Sequence, residues 1–93
     1  MTQDAKVAIV TGGCRGIGLA ATEIFLEQGW RVAVVDRDVE ELHRTCDPME
    51  NVLAVEADIS DPQSVDGVIR SVVGQWGRVD ALVNNAGVAL FSR

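Results

Sequence analysis

The sequence predicts an α/β fold with a doubly wound parallel sheet, in which helices cover both faces. Short apolar segments alternate strictly with segments of helical periodicity along the 93 residues. The apolar segments are continuously hydrophobic, which is typical of strands that are buried on both faces. Because βαβ units are right-handed, the four predicted strands have the expected order 3-2-1-4.

The first βα unit consists of an apolar strand over residues 7–10 and a helix over residues 17–28. Apolar residues recur at helical spacing in this helix, among them Ile17 and Ile24, and predict its buried side. Gly29 follows directly and supplies a left-handed stop.

The second unit begins with an apolar strand over residues 31–35. Asp38, followed three residues later by Glu41, predicts a capping box for a short helix that extends to about Cys46. The sequence Asp47-Pro48 then ends that helix.

The third unit has a strand over residues 52–55 and a helix that opens at Asp61, with Pro62 in its first turn. Valine and isoleucine residues form the apolar side of this helix, which ends near Gly77. A fourth strand follows over residues 81–83.

The turn after the first strand is rich in glycine, with the spacing Gly-x-x-x-Gly-x-Gly over Gly12, Gly16 and Gly18. A pyrophosphate binds where backbone N–H groups approach it closely and a helix N-terminus points toward it. Side chains at the tightest points would block that approach. The turn therefore predicts a phosphate cradle; the alternative is an ordinary tight βα connection.

Asp36 follows the second strand, 18 residues after Gly18, where a carboxylate accepts hydrogen bonds from the ribose hydroxyls of a dinucleotide. A 2′-phosphate in that place would meet a like charge. Arg37 follows directly, Arg15 lies in the cradle, and either guanidinium could pair with a 2′-phosphate. We therefore expect NAD as the cofactor, with NADP less favoured. The alternative for Asp36 is a solvated loop acid or a helix cap.

Two further motifs follow the third and fourth strands, Asp58-Ile59 and Asn84-Asn85-Ala86-Gly87. Together with the Thr11-Gly12-x-x-x-Gly16-x-Gly18 cradle, they resemble the short-chain dehydrogenase/reductase family. The resemblance implies a Rossmann-type fold, an NAD(P) cofactor and hydride transfer between that cofactor and an alcohol or ketone. It also implies a homo-oligomer for the whole protein.

The same resemblance implies roles for single residues. Asp58 would bind the adenine amino group, the Ile59 backbone would contact adenine, and the asparagine-rich turn would stabilise the central sheet beside the cofactor. A turn whose amides only satisfy backbone groups is the alternative for that motif. The cofactor-binding candidates are Gly12, Cys14, Arg15, Gly16, Ile17, Gly18, Asp36, Arg37, Asp58, Ile59, Asn84, Ala86 and Gly87.

The catalytic residues that the resemblance implies, a Ser, a Tyr-x-x-x-Lys pair and an Asn, would come after Gly87. The sequence has no tyrosine, its one lysine is Lys6, and it stops six residues beyond Gly87. Hydride transfer needs a positioned proton donor or acceptor. We therefore expect residues 1–93 to be the N-terminal cofactor-binding part of one domain, catalytically inactive alone, with the strand at 81–83 as a sheet edge.

The remaining reactive side chains do not suggest a second site. Cys14 precedes a helix beside Arg15, a setting that lowers a thiol pKa, but it has no base partner and is better explained as a small loop residue. Cys14 and Cys46 give neither a disulfide framework nor a metal spacing. His43 lies in a charged segment and is expected on a solvated face.

Composition limits the partners. A net charge of −6 argues against nucleic acids and anionic membranes, which require a basic face. The sequence has no apolar run of membrane-spanning length and no leader segment, so we expect a cytoplasmic protein.

Three functional hypotheses follow from the sequence. The first is the cofactor-binding part of a short-chain oxidoreductase. The second is a stand-alone, non-catalytic dinucleotide-binding module. The third is a structural remnant that folds only with a complementing chain. The sequence favours the first, and the substrate stays open because the residues that shape a substrate pocket in this family come later.

Overall fold

A computed structural model describes residues 5–84 and 87–90, with side chains for residues 5–84. Strands and helices alternate as far as β4, as the sequence predicts. The elements are β1 (Val7–Thr11), α1 (Gly16–Glu27), β2 (Arg31–Asp36), α2 (Val39–Cys46), β3 (Val52–Glu56), α3 (Pro62–Trp76), β4 (Ala81–Asn84) and β5 (Gly87–Leu90).

The five strands form one sheet in the order β3-β2-β1-β4-β5. The first four are parallel, and β1 lies in the middle with β2 on one side and β4 on the other. All five residues of β1 are buried. The predicted order 3-2-1-4 is therefore confirmed, and the carboxyl ends of four strands meet at one edge of the sheet.

The antiparallel strand β5 differs from the expectation that β4 would end the sheet. Asn84 at the end of β4 pairs with Gly87 at the start of β5. Two residues separate them, and such a short connection can join antiparallel strands but not parallel ones. Asn85 and Ala86, which make that connection, lie outside the described residues.

Helices cover both faces of the parallel strands. On one face, α3 packs through Val68 and Val72 against Ile9 and Val35. On the other, Leu42 of α2 packs with Val10, Val32 and Val34 of the sheet. In the part of the chain that the structure describes, no helix is both long and apolar enough to cross a bilayer.

The buried side of α1 agrees with the expected one only in part, because Phe25 packs against the core but two expected isoleucines do not. Ile17 and Ile24 are 84% and 60% exposed, whereas Gly18 and Thr22 are buried. The Thr22 hydroxyl donates a hydrogen bond of 3.0 Å to the Gly18 carbonyl. Small residues on this side let the helix backbone approach the loop and the sheet closely.

The helix caps largely follow the sequence. Asp61 accepts a hydrogen bond from the Gln63 N–H, and Gly77 ends α3 in the left-handed region. Asp38 accepts one from the Glu41 N–H at 3.1 Å. The reciprocal half of the predicted capping box does not form, because the Asp38 N–H donates to Asp36 instead.

A carboxylate that the sequence analysis did not single out joins β1 to β4. Asp80 accepts two hydrogen bonds from the Arg78 guanidinium, at 2.7 and 2.8 Å, and one from the Val7 N–H at 2.9 Å. The Asp80 N–H donates in return to the Val7 carbonyl at 2.8 Å. This contact fixes the amino end of β4 beside the start of β1.

Candidate nucleotide site

The carboxyl edge of the sheet opens into a cleft of about 410 Å³. In open parallel sheets this edge, where the strand order reverses beside β1, is the usual place for a ligand. The cleft is lined by Thr11, Gly12, Val35, Asp36, Arg37, Ala57, Asp58, Ile59, Ser60 and Asn84.

The glycine-rich loop adjoins the cleft, which Gly12 lines. Gly16 has a φ of +58°, which L side chains rarely adopt. A Cβ added at Gly18 would overlap the carbonyl oxygen of Gly12 and lie 3.0 Å from the Cα of Gly13. The loop therefore has the close backbone packing that a phosphate cradle needs.

The start of α1 suits an anion. Arg15 is the N-cap residue in extended conformation, it makes no side-chain cap hydrogen bond, and the first turn contains no acidic residue. The N–H groups of a helix start favour negative charge when no side chain caps them. The residues present therefore fit a pyrophosphate.

Asp36 lies at the end of β2 and lines the cleft. Its Oδ1 accepts a hydrogen bond of 3.0 Å from the Asp38 N–H, which fixes the direction of the carboxylate. Its backbone carbonyl accepts a hydrogen bond of 3.2 Å from the Ala57 N–H. Two backbone contacts thus hold a polar acceptor at the edge of the cleft.

Asp58 lines the same cleft from the loop after β3. Its Oδ1 accepts hydrogen bonds from the Ser60 hydroxyl at 2.7 Å and from the Ser60 N–H at 3.0 Å. These bonds, with a smaller contribution from Arg37, lower the pKa of Asp58 below its ordinary value. The carboxylate is therefore ionised at neutral pH and acts as an acceptor.

Arg15 turns toward α2. Its guanidinium lies 3.4 Å from Asp38 Oδ2, and the two side chains are 67% and 49% exposed. Arg37 lines the cleft beside Asp36. The two arginines that the sequence analysis named as possible phosphate partners therefore have different neighbours.

Cys14 points into the core and not toward the cradle. It is 4% exposed and lies in the same buried cluster as Cys46, with which it shares a hydrogen bond. Burial, with a smaller contribution from the charge of Asp36, raises the pKa of Cys14. The structure thus contradicts the lowered pKa suggested by its place beside Arg15.

The structure brings six of the predicted cofactor residues to the cleft: Gly12, Asp36, Arg37, Asp58, Ile59 and Asn84. The others before β2 lie in the adjoining loop and in the first turn of α1. Ala86 lies outside the described residues, and Gly87 begins β5. The sequence analysis did not predict that Ala57 and Ser60, on either side of Asp58, line the cleft. It also did not name Thr11 as a site residue, although Thr11 is part of the cradle motif.

His43 is exposed and lies 3.2 Å from Asp47 on the surface of α2. Within residues 5–84, whose side chains the structure describes, no group of three potential ligands is arranged to hold a metal ion.

Comparison with known proteins agrees with this geometry. The family model for short chain dehydrogenase matches residues 6–93. The chain belongs to the short-chain dehydrogenase family. Members of this family are oxidoreductases, and the doubly wound sheet with its nucleotide-binding edge is their shared fold.

Individual short-chain dehydrogenases cover nearly the whole chain. Sorbitol dehydrogenase from Cereibacter sphaeroides is 38% identical over 92 residues, which are 98% of this chain and 35% of that protein. The human 15-hydroxyprostaglandin dehydrogenase [NAD(+)] is 40% identical, over 95% of this chain and 35% of that protein. The chain thus spans about a third of the length of these relatives.

A solved structure matches equally well. The 3-ketoacyl-(acyl-carrier-protein) reductase from Brucella melitensis, complexed with NADH, superposes with a TM-score of 0.77 at 36% identity. The match covers 83% of this chain and 32% of that protein.

Proposed function

We propose that residues 1–93 form the cofactor-binding part of an NAD-dependent oxidoreductase that acts on an alcohol or a ketone. The observation that carries this proposal is Asp36, a carboxylate acceptor held at the edge of a cleft that Gly12 of the glycine-rich loop also lines. A bound NAD would supply hydride transfer at its nicotinamide ring. The residues of this chain bind and orient the other half of the cofactor.

The pyrophosphate would lie against the loop that contains Gly12, Gly16 and Gly18, at the start of α1. The adenosine ribose would donate its hydroxyls to Asp36. Asp58 would accept a hydrogen bond from the adenine amino group, and the backbone of Ile59 would contact the adenine ring. These three placements use the cleft in one continuous direction, from β1 across β2 to β3.

The preference for NAD rests on charge. A 2′-phosphate would enter next to the Asp36 carboxylate, where like charges repel. The names of similar proteins support the choice, because one is specified with NAD(+) and another was solved with NADH.

The chain alone is proposed to be inactive, since it has no tyrosine and its one lysine, Lys6, precedes β1. The proton donor, the substrate pocket and the contacts of a homo-oligomer would come from a part of the protein beyond residue 93. Titration of the protein with NAD and with NADP by calorimetry tests the proposal. Absence of binding to both would overturn it, and tighter binding of NADP would overturn the cofactor assignment.

A stand-alone nucleotide-binding module is a second candidate. The pairing of β5 with β4 supports it, because the edge of the sheet is then the four-residue strand β5, and short edge strands limit association. Cooperative unfolding of a monomeric chain that binds NAD would favour this candidate.

A further inference from the structure

We propose that Asp38 is a specificity-determining residue, which favours NAD over NADP by holding Arg15 away from the 2′ position of the adenosine ribose. This inference rests on the proposed function. It concerns a side chain that does not line the cleft and whose motif position predicted only a helix cap.

Asp38 makes three contacts at once. Its Oδ1 accepts the Glu41 N–H at 3.1 Å and so caps α2. Its Oδ2 lies 3.4 Å from the Arg15 guanidinium. Its own N–H donates to Asp36 Oδ1 at 3.0 Å. One residue therefore connects the expected ribose acceptor with the cation of the cradle.

The geometry explains how these contacts act on the cofactor. Arg15 is the cation at the mouth of the cradle, and a guanidinium is well suited to pair with a phosphate. The carboxylate of Asp38 competes for the same guanidinium. The N–H of Asp38 meanwhile aims the Asp36 carboxylate. The contacts with Arg15 and Asp36 both disfavour a 2′-phosphate, and neither opposes a 2′-hydroxyl.

The solvent exposure of the Arg15–Asp38 pair determines how strongly Asp38 affects the cofactor preference. The Arg15–Asp38 pair is largely solvated, and exposed ion pairs are weak. A phosphate can therefore attract Arg15 once Asp38 loses its charge. We expect Asp38 to tune the cofactor preference by roughly three- to tenfold, with the larger share from Asp36.

The decisive variant is Asp38→Asn, because asparagine caps a helix as well as aspartate does and keeps the same backbone N–H. NADP should bind about three- to tenfold more tightly to this variant, with NAD binding changed by less than about twofold. Asp38→Ser retains a cap as well and should show the same direction. Added salt should reduce the gain in NADP binding, because the new contact is between charges.

Two comparisons separate this role from a general effect of charge. Glu40→Gln removes a negative charge from the same first turn of α2 and should leave the ratio of NADP to NAD affinity nearly unchanged. In the background of Arg15→Ala, Asp38→Asn should lose its effect on NADP.

The outcomes are distinguishable from those that test the proposed function. If the unaltered protein binds neither cofactor, the proposed function fails and this inference fails with it. If NAD binds but Asp38→Asn and Asp38→Ser leave the affinity ratio unchanged, the proposed function stands and the role of Asp38 is overturned. An equal effect of Glu40→Gln, or a full effect without Arg15, also overturns it.

Discussion

The Asp38 N–H points at Asp36 Oδ1 from 3.0 Å and fixes the carboxylate at the end of β2. The backbone of the next helix start thus orients the acceptor that the proposed ribose contact needs. The carboxylate is held before any cofactor arrives, which reduces the conformational entropy lost on binding.

Replacement of Asp36 by alanine should weaken NAD binding by about 1–3 kcal/mol, because two hydrogen bonds to a partly buried ribose are lost. Discrimination against NADP should relax at the same time. Calorimetric titration with both cofactors measures the two effects. Asp66→Ala, at an exposed acid of α3, is the control and should change neither. An unchanged NAD affinity in Asp36→Ala would contradict the ribose assignment.

The glycines of the loop and of α3 should respond to alanine in opposite ways. Gly18→Ala should lower both cofactor affinity and stability, since its Cβ would overlap the Gly12 carbonyl oxygen. Gly67→Ala meets no atom within 4 Å and lies inside α3, so it should stabilise the protein by about 0.5–1 kcal/mol. Urea denaturation with matched NAD titration tests both. A stable Gly18→Ala protein with full NAD affinity would remove the cradle argument.

Loss of the Asp80 carboxylate should destabilise the fold without a direct effect on the cleft. Asp80→Ala leaves the Val7 N–H and the Arg78 guanidinium without this acceptor, at a cost of about 1–3 kcal/mol. Chemical denaturation measures the loss. NAD affinity of the folded fraction should stay the same. A loss of NAD binding at unchanged stability would contradict this structural role of Asp80.

The same carboxylate should contribute to acid sensitivity. The Arg78 hydrogen bonds lower the pKa of Asp80 from its ordinary value of 3.8. A carboxyl whose pKa is lower in the folded state stabilises the fold above its unfolded pKa and loses that contribution as the pH falls through the folded value. Stability should therefore decrease below about pH 3.8, and less so in Arg78→Ala. Denaturant midpoints measured against pH give the comparison.

Cys46 should make the fold sensitive to alkali. Burial raises the pKa of this thiol from 9.0 to about 11. The folded state therefore holds the proton more tightly, and this contribution to stability is complete below pH 9 and declines as the pH rises to about 11. Cys46→Ala should be less stable at neutral pH but should show a smaller decline over that range. Native-state alkylation at pH 8 should be slow, and rapid labelling would indicate an accessible thiolate.

The parts of the site that the sequence predicted are those encoded by short spacings. Gly12, Gly16 and Gly18 lie between the end of β1 and the first turn of α1, and Asp36 lies at the end of β2, so strand assignment alone placed them at one edge. The contacts that were missed join residues far apart in the chain. Arg15 and Asp38 are separated by 23 positions and Val7 and Asp80 by 73, and no local pattern encodes such pairs.

The same reasoning applies to α1 and β5. The helical periodicity of Ile17 and Ile24 predicted a buried side, but close packing against the cradle selected Gly18 and Thr22 instead. β5 has four residues, and its direction is determined by the length of the connection to β4 and not by its own composition.

The central position of β1 affects how the sheet can form while the chain is being translated. Of the described strands, β1 is made first and can pair with β2 once Asp36 has been made, but its other neighbour starts only at Ala81. Pairings across such long separations form late, because the entropy of closing a large loop is lost before the contacts between the strands form. The strand that becomes the centre of the sheet therefore keeps one side without a partner until β4 has been made, and the docking of Asp80 against Val7 ends that period.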